Sequence, residues 1–110
     1  MTTPFERLAD VDQTIHAPAR LAILTALSVC EQADFTYLKR ITGLTQGNLG
    51  SHLGKLEEAA LVEIEKSFAG RTSRTSVRLL PAGRDAITGW WAAMEEARAA
   101  TAAWSPDDDG

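Results

Sequence analysis

The side chains able to act as nucleophiles, general bases or metal ligands are few, and their spacing suits none of these tasks. Ser51 and His52 are adjacent, but neighbouring side chains on a helix point about 100° apart, which places His52 badly for taking a proton from Ser51. Cys30 is the only cysteine, so it can form neither an internal disulfide nor a cysteine cage for a metal. We therefore predict no enzymatic activity, no bound metal and no cofactor.

The placement of charge indicates a different chemistry, the binding of phosphate groups. The net charge is −4 at pH 7, but acidic residues accumulate toward both ends, whereas residues 66–84 contain five basic residues and no acidic one. Such a local positive field attracts the phosphate backbone of a nucleic acid, although a basic run is more often a solvated surface. The middle of the chain is the candidate interface for nucleic acid.

Four helices are predicted before this basic segment. A short amphipathic helix is followed by a second one that Pro18 starts and that is apolar almost all round, as expected for a central core helix. Asp34 is the predicted N-cap of a third helix, residues 35–41, which Gly43 ends, and Thr45 is the N-cap of a fourth helix that runs to about residue 60. The inward faces of the first and fourth helices are marked by Phe5, Leu8, Val11 and Ile15, and by Leu49, Leu53 and Leu56.

The apolar period changes after the fourth helix. Residues 61–68 and 75–79 alternate apolar and polar side chains, which is typical of half-buried strands. Residues 69–74 between them are polar and basic, so the pair predicts a β-hairpin with a basic tip. Pro81 and Gly83 then lead into a last helix that contains three tryptophans.

This order of elements resembles a winged helix-turn-helix. Residues 45–62 contain the short sequences Ser-His-Leu, Leu-Glu and Leu-Val, in that order. They resemble the recognition helix and following strand of small ArsR- and MarR-type regulators. Residues 68–75 resemble the wing, and residues 79–84 are similar to the Leu-Thr-Pro-x-Gly-Arg sequence of the family. The resemblance spans about residues 17–84 and implies a mainly α fold with a small β-hairpin (α+β), comprising a three-helix core, a wing and flanking dimerisation helices.

Two residues depart from the family pattern at helix ends. Ala60 stands where the family usually has glycine, so we expect the fourth helix to end without the usual left-handed cap. Leu80 replaces the usual threonine, which removes an N-cap from the last helix and leaves Pro81 to start it.

The resemblance implies a sequence-specific regulator that binds double-stranded DNA, most often as a repressor. The fourth helix would lie in the major groove, where Gln46 and Asn48 can exchange hydrogen bonds with base edges, and its glycines would permit close approach, unless they are simply tolerated. The arginines of the wing would reach the minor groove. Lys39, Arg40 and Lys55 would bind phosphates. The predicted DNA-binding residues are Lys39, Arg40, Thr45, Gln46, Gly47, Asn48, Ser51, His52, Lys55, Arg71, Thr72, Ser73 and Arg74. For His52, a structural role and a phosphate contact are equally favoured.

The apolar pattern of the last helix predicts self-association. Its apolar residues recur at steps of three and four and form a seam, a stripe against which another helix can pack. Together with the first helix, this seam would build a two-fold dimer and could hold a small apolar effector; the alternative is that the tryptophans pack within their own subunit. The ArsR-type cysteine sites for metal are missing here, and an intersubunit site that uses His16 is a weaker alternative. The predicted interface residues are Phe5, Leu8, Val11, Ile15, Ile87, Trp90, Trp91, Met94, Ala97, Thr101 and Trp104.

We expect residues 1–104 to form one domain and residues 105–110 to be a disordered acidic tail. The sequence has neither an apolar run long enough for a membrane helix nor a signal peptide, so a cytoplasmic protein is expected. The competing hypothesis is a winged-helix module that binds another protein and has no sequence-specific affinity for DNA.

Overall fold

The computed structural model describes residues 3–107, which form five helices and a three-stranded antiparallel sheet. The predicted mainly α, winged helix-turn-helix fold is confirmed. None of the helices in residues 3–107 is long and apolar enough to cross a membrane. The helices are α1 (Pro4–Ala9), α2 (Pro18–Cys30), α3 (Phe35–Thr42), α4 (Gln46–Glu58) and α5 (Pro81–Ala103), and the strands are β1 (Gln32–Asp34), β2 (Val62–Ala69) and β3 (Thr72–Leu79).

The core lies where α2, α3, α4 and the start of α5 meet the inner face of the sheet. The predicted inward face of α4 is confirmed, because its three leucines are at most 1% exposed. Burial of this many aliphatic side chains is the main force that holds the short elements together. The fully buried side chains are Ile15, Ile23, Leu24, Leu27, Leu38, Leu49, Leu53, Leu56, Val62, Val77 and Ile87.

Local capping sets the turn between α3 and α4. The Asp34 carboxylate accepts the N–H of Tyr37 at 2.8 Å, and the Thr45 hydroxyl accepts the N–H of Asn48 at 3.1 Å. Gly43 ends α3 with a φ of 73°, a left-handed conformation that glycine adopts without strain. All three predicted caps are therefore present, and they fix the angle at which α4 leaves α3.

The first helix is shorter than the apolar spacing predicts. It ends at Ala9, and the Asp12 carboxylate then accepts the N–H of Thr14 at 2.8 Å, a side-chain turn that competes with helix formation. Ile15 therefore leaves the helical face and enters the core, where it is 1% exposed. The second helix is also less completely buried than its nearly all-apolar sequence predicts, because Val29 near its C-terminal end is 82% exposed.

The end of α4 corrects a second prediction. Ala60 adopts the left-handed conformation, with a φ of 60°, although it is not glycine. The N–H of Ala60 donates to the Glu57 carbonyl, and that of Leu61 donates to the Leu56 carbonyl, which is the hydrogen-bond pattern of a Schellman motif. Leu61 and Leu56 are both buried, and burial of these leucines holds the alanine in this conformation. In contrast, α5 begins as predicted, with Pro81 in the first turn and no side-chain cap from Leu80.

The sheet has one strand more than the sequence predicts. β1 pairs with β3 through Ala33 and Val77, so the strand order is β1-β3-β2. Three residues are too few to show an alternating pattern, so β1 cannot be predicted from the sequence and is recognised only by its pairing with β3. The predicted hairpin is confirmed, but its turn is tighter than the predicted residues 69–74, because Ala69 already pairs with Thr72 across a Gly70-Arg71 turn. Gly70 has a φ of 67°, which two-residue hairpin turns require.

Candidate nucleic-acid interface

The face of α4 that lies opposite its leucines is open to solvent. Polar and small residues are interspersed along it. Gly54 is half-buried, and the remaining members of this face are exposed. The exposed residues are Gln46, Gly47, Asn48, Gly50, Ser51, Lys55 and Glu58.

The three glycines of this helix have no packing role in the chain. A Cβ atom built on Gly47, Gly50 or Gly54 would meet no atom within 4 Å apart from the helix itself and its chain neighbours. Each glycine costs a helix interior roughly 1 kcal/mol relative to alanine. Packing within the protomer therefore does not explain why a core-forming helix carries them.

Two shallow grooves flank the N-terminal half of α4. One lies between α3 and the outer part of β3, and includes Lys39 and Arg74; the other lies between α4 and the hairpin, and includes Gly50 and Lys66. Gln46 borders both grooves. The structure thus brings Lys39 of α3, Gln46 of α4 and Arg74 of β3 to one groove.

Lys66 belongs to this surface and is absent from the predicted DNA-binding residues. It lies on β2 two residues beyond Ile64, and the period of two along a strand places both side chains on the same face. The alternating pattern of residues 62–68 already contained this information, because the strand face that is buried near the core continues outward through Lys66.

The cations of this surface have no carboxylate partner among residues 3–107, a property that Arg20 and Arg98 share elsewhere in that range. Among residues 3–107, ion pairs join Arg7 to Glu96, Arg78 to Glu63 at 3.0 Å and Arg84 to Glu31 at 3.4 Å. The basic residues on α3, α4 and the outer hairpin form no ion pair in that part of the chain, and they are Lys39, Arg40, Lys55, Lys66, Arg71 and Arg74. Their charge is available to an anionic partner, while Arg40 also lies 5.3 Å from the centre of the Tyr37 ring.

His52 is held by Arg20 and is not paired with Ser51. The Arg20 Nε–H donates to Nδ1 of His52 at 3.2 Å, and another guanidinium nitrogen of Arg20 donates to the Thr14 carbonyl at 2.7 Å. This bond links α4 to the start of α2, a long-range contact that sequence spacing does not reveal. Because Nδ1 accepts a hydrogen bond, the neutral ring carries its proton on Nε2.

The outer half of the hairpin projects from the body of the protein. Every residue from 65 to 74 is exposed, including Arg71, Thr72, Ser73 and Arg74. Arg71 occupies the turn itself, and Arg74 pairs with Ser67. The projecting ribbon therefore carries two arginines that its own chain does not neutralise.

The residues of the predicted dimer interface fall into two groups. Ile15 and Ile87 are 1% exposed and Ala97 is 7% exposed, so these three fill the interior of the protomer and are not available to a partner; this part of the prediction is wrong. Ile87 and Ala97 lie on the side of α5 that packs within the protomer, and Ile15 lies in the segment between α1 and α2. Phe5 and Trp91 remain 41% and 44% exposed.

The aromatic residues of α1 and α5, including the partly exposed Phe5 and Trp91, also make contacts within the chain. Phe5 stacks edge-on against Trp104 with ring centres 5.0 Å apart, and Trp90 does so against Trp91 at 4.8 Å. The Trp90 indole N–H donates to Nδ1 of His16 at 3.3 Å. The remaining predicted interface residues lie at the protomer surface, where Thr101 is exposed and the others are half-buried, namely Leu8, Val11 and Met94.

Metal ligands do not converge anywhere in the described part of the chain. No group of three or more His, Cys, Asp or Glu side chains is placed to hold an ion among residues 3–107. Cys30 is exposed at the end of α2. The end of the predicted acidic tail, residues 108–110, lies outside the described residues.

These features define a winged-helix DNA-binding protein. The family model for the winged helix DNA-binding domain matches residues 19–97, and the chain belongs to this family. The family and the fold are those of transcriptional regulators and not of enzymes.

The chain is similar to several known proteins, among them a regulator of the MarR family. An uncharacterized protein of Methanocaldococcus jannaschii is 39% identical over 75 residues, which cover 68% of this chain and 82% of that protein. The structure is similar to that of a transcriptional regulator homologue from Pyrococcus horikoshii, with a TM-score of 0.76, 27% identity and coverage of 84% and 90% of the two chains. It is also similar to a MarR-family regulator from Silicibacter pomeroyi, with a TM-score of 0.62, 26% identity and coverage of 84% and 62%.

Proposed function

We propose that the protein is a homodimeric repressor that binds a specific double-stranded DNA sequence. The observation that carries this proposal is the single surface formed by the small, polar face of α4 and by cations that no carboxylate of the described chain neutralises. A duplex offers such a surface a groove for the helix and phosphates for the cations. Occlusion of a promoter is the way in which small one-domain regulators of this type mostly act.

The residues divide into three kinds of contact. Gln46 and Asn48, near the N-terminus of α4, read base edges in the major groove, with Thr45, Gly47 and Ser51 beside them. Phosphates are bound by the cations of α3 and α4 together with the Nε2–H of His52, which add affinity without sequence information. The hairpin tip, with Arg71, Thr72, Ser73 and Arg74, lies at the minor groove, where narrow A·T-rich segments concentrate negative potential.

The shape of the protomer supports a dimer. Its radius of gyration is 17.2 Å, whereas a compact domain of this length has about 13 Å. The hairpin and the 23-residue α5 extend the molecule, and α1 and α5 leave Phe5 and Trp91 partly exposed. Pairing of these helices about a two-fold axis would set two copies of α4 about 34 Å apart, which is one turn of DNA.

A small apolar effector would bind near the same helices. A cleft between the segment before α2 and the start of α5 is lined by Val11, Gly89 and Trp90, among others. An occupant of this cleft would contact both a proposed dimer helix and the segment that leads into the helix-turn-helix. Its binding could therefore change the separation of the two copies of α4.

The test begins with selection of bound fragments from the source genome, followed by affinity measurements at several salt concentrations. Replacement of both Arg71 and Arg74 by alanine should weaken binding and reduce the slope of log K against log[salt] by about 4 for the dimer, because each protomer loses two phosphate contacts and each contact contributes about 1. Arg98→Ala is the matched control: this cation lies on α5, away from α4, and its loss should leave the slope unchanged.

A second test concerns the reading of base edges by α4. Asn48→Ala should relax the sequence preference while the salt slope stays the same. Binding that does not respond to salt, or the absence of binding to any genomic duplex at low salt, would contradict the proposal and favour the protein-binding module.

A further inference from the structure

Phe68 is exposed on the hairpin in a way that its own chain does not explain. It is 75% exposed, more than any other phenylalanine, tyrosine or tryptophan side chain among residues 3–107. The residue that pairs with it on β3 is Ser73, whose side chain is too small to cover the ring. An isolated phenylalanine at the tip of a charged ribbon gains no packing energy in the free protein.

The direction in which Phe68 points follows from the strand period. Val62, Ile64, Lys66 and Phe68 occupy alternate positions of β2 and share one face. The inner part of this face is buried against the core, and Ile64 and Lys66 border the groove beside α4. Phe68 therefore lies on the same side of the hairpin as α4, beyond the end of that groove.

Charge around the ring indicates which partner covers it. Lys66 precedes Phe68 on its face, and Arg71 follows in the turn, whereas Arg74 pairs with Ser67 and lies on the opposite face of the hairpin; none of the three has an ion-pair partner among the described residues. An apolar ring flanked by Lys66 and Arg71 fits a ligand with an anionic edge and an apolar interior. The groove of a duplex has both, since phosphates border it while deoxyribose rings and base faces line it.

We propose that Phe68 is an apolar DNA contact that enters the minor groove between the proposed arginine contacts and packs against a deformable base step. Apolar side chains that enter the minor groove partly unstack the bases, and pyrimidine–purine steps such as TA and CA offer the least resistance. Phe68 would thus select such a step by its deformability, at a position where no hydrogen bond reads the base. This inference rests on the proposed function.

The test uses the full-length protein and a genomic fragment that it binds, with 2-aminopurine placed at successive positions under the hairpin. Phe68→Ala should weaken binding of the dimer about a hundredfold, because each protomer loses one buried aromatic contact worth about tenfold, and leave the salt slope unchanged because no charge is removed. The parent should raise the 2-aminopurine fluorescence at one step by unstacking it, and Phe68→Ala should not. Phe68→Leu should retain part of both effects, since leucine also acts as a wedge.

Val29→Ala is the matched control, because Val29 is 82% exposed and lies at the far end of α2; it should change neither affinity nor fluorescence. Equal affinity and fluorescence for the parent and Phe68→Ala would overturn this inference while leaving the regulator function intact. A shift of Phe68→Ala toward monomer in sedimentation would also overturn it, since a second copy of the chain would then cover the ring. Failure of the parent itself to bind DNA would instead overturn the proposed function and this inference with it.

Discussion

Replacing Gly50 by alanine distinguishes two explanations for the glycines of α4. Gly50 is exposed in the middle of the helix, and an added methyl group would meet nothing within 4 Å. The substitution should therefore stabilise the fold by about 1 kcal/mol, the difference in helix propensity between glycine and alanine, which raises Tm by about 4 °C in a domain of this size. If α4 lies close to the groove floor, the same methyl group must be accommodated against DNA.

The expected cost on DNA is that of overpacking a close contact, about 1–3 kcal/mol, or a loss of affinity of about 5- to 160-fold. Thermal unfolding and fluorescence anisotropy on a selected operator measure the two effects. Gly89→Ala is the matched control for the gain in stability alone, because this glycine is also exposed in a helix with no atom within 4 Å of its Cβ, and it should raise Tm by a similar amount. A Gly50→Ala protein that is more stable and binds DNA as tightly as the parent would refute close approach and show that the glycines are merely tolerated.

Three further substitutions test the packing and the association of the protomer. Gly83→Ala should destabilise the fold by roughly 1–3 kcal/mol, since its Cβ would overlap the Leu61 carbonyl oxygen; an unchanged denaturation midpoint would contradict this packing. Ala60→Gly should raise stability by roughly 0.5–1 kcal/mol, because glycine relieves the left-handed strain but adds freedom to the unfolded chain; a lower midpoint in urea would show that no strain is present. Trp91→Ala should shift sedimentation toward monomer if α5 pairs with a partner, whereas Val29→Ala should not, and identical profiles for both would argue against the proposed dimer.

Structural features that depend on only a few consecutive residues could be predicted from the sequence. The caps at Asp34, Gly43 and Thr45 act within one helical turn, so the helix-turn-helix follows from local chemistry. The spacing of the leucines in α4 and the alternation in β2 likewise report directly which side faces the core. The exposed polar face of α4 and the basic hairpin tip were predictable for this reason.

Features that depend on distant partners could not be predicted in this way. β1 exists because β3 offers it a pairing edge, and Lys66 joins the candidate nucleic-acid interface because β2 passes beside α4. The bond from Arg20 to His52 spans 32 positions, and no spacing rule connects such residues. Phe68 is apolar and continues the strand face that is buried at Val62, yet only the tertiary structure reveals that nothing covers it.

Two helix ends illustrate the same division. Glycine is usual at the position of Ala60 in related regulators, and the local rule then predicts no left-handed cap, but the burial of Leu56 and Leu61 imposes that conformation on alanine. Ile15 continues the apolar spacing of the first helix, but a turn at Asp12 redirects it into the core. The sequence alone therefore determined the elements and the outward face of α4, because these depend on neighbours in the chain. The tertiary structure decided which side chains are covered and which cations remain unpaired, because burial and ion pairing depend on residues that only folding brings together.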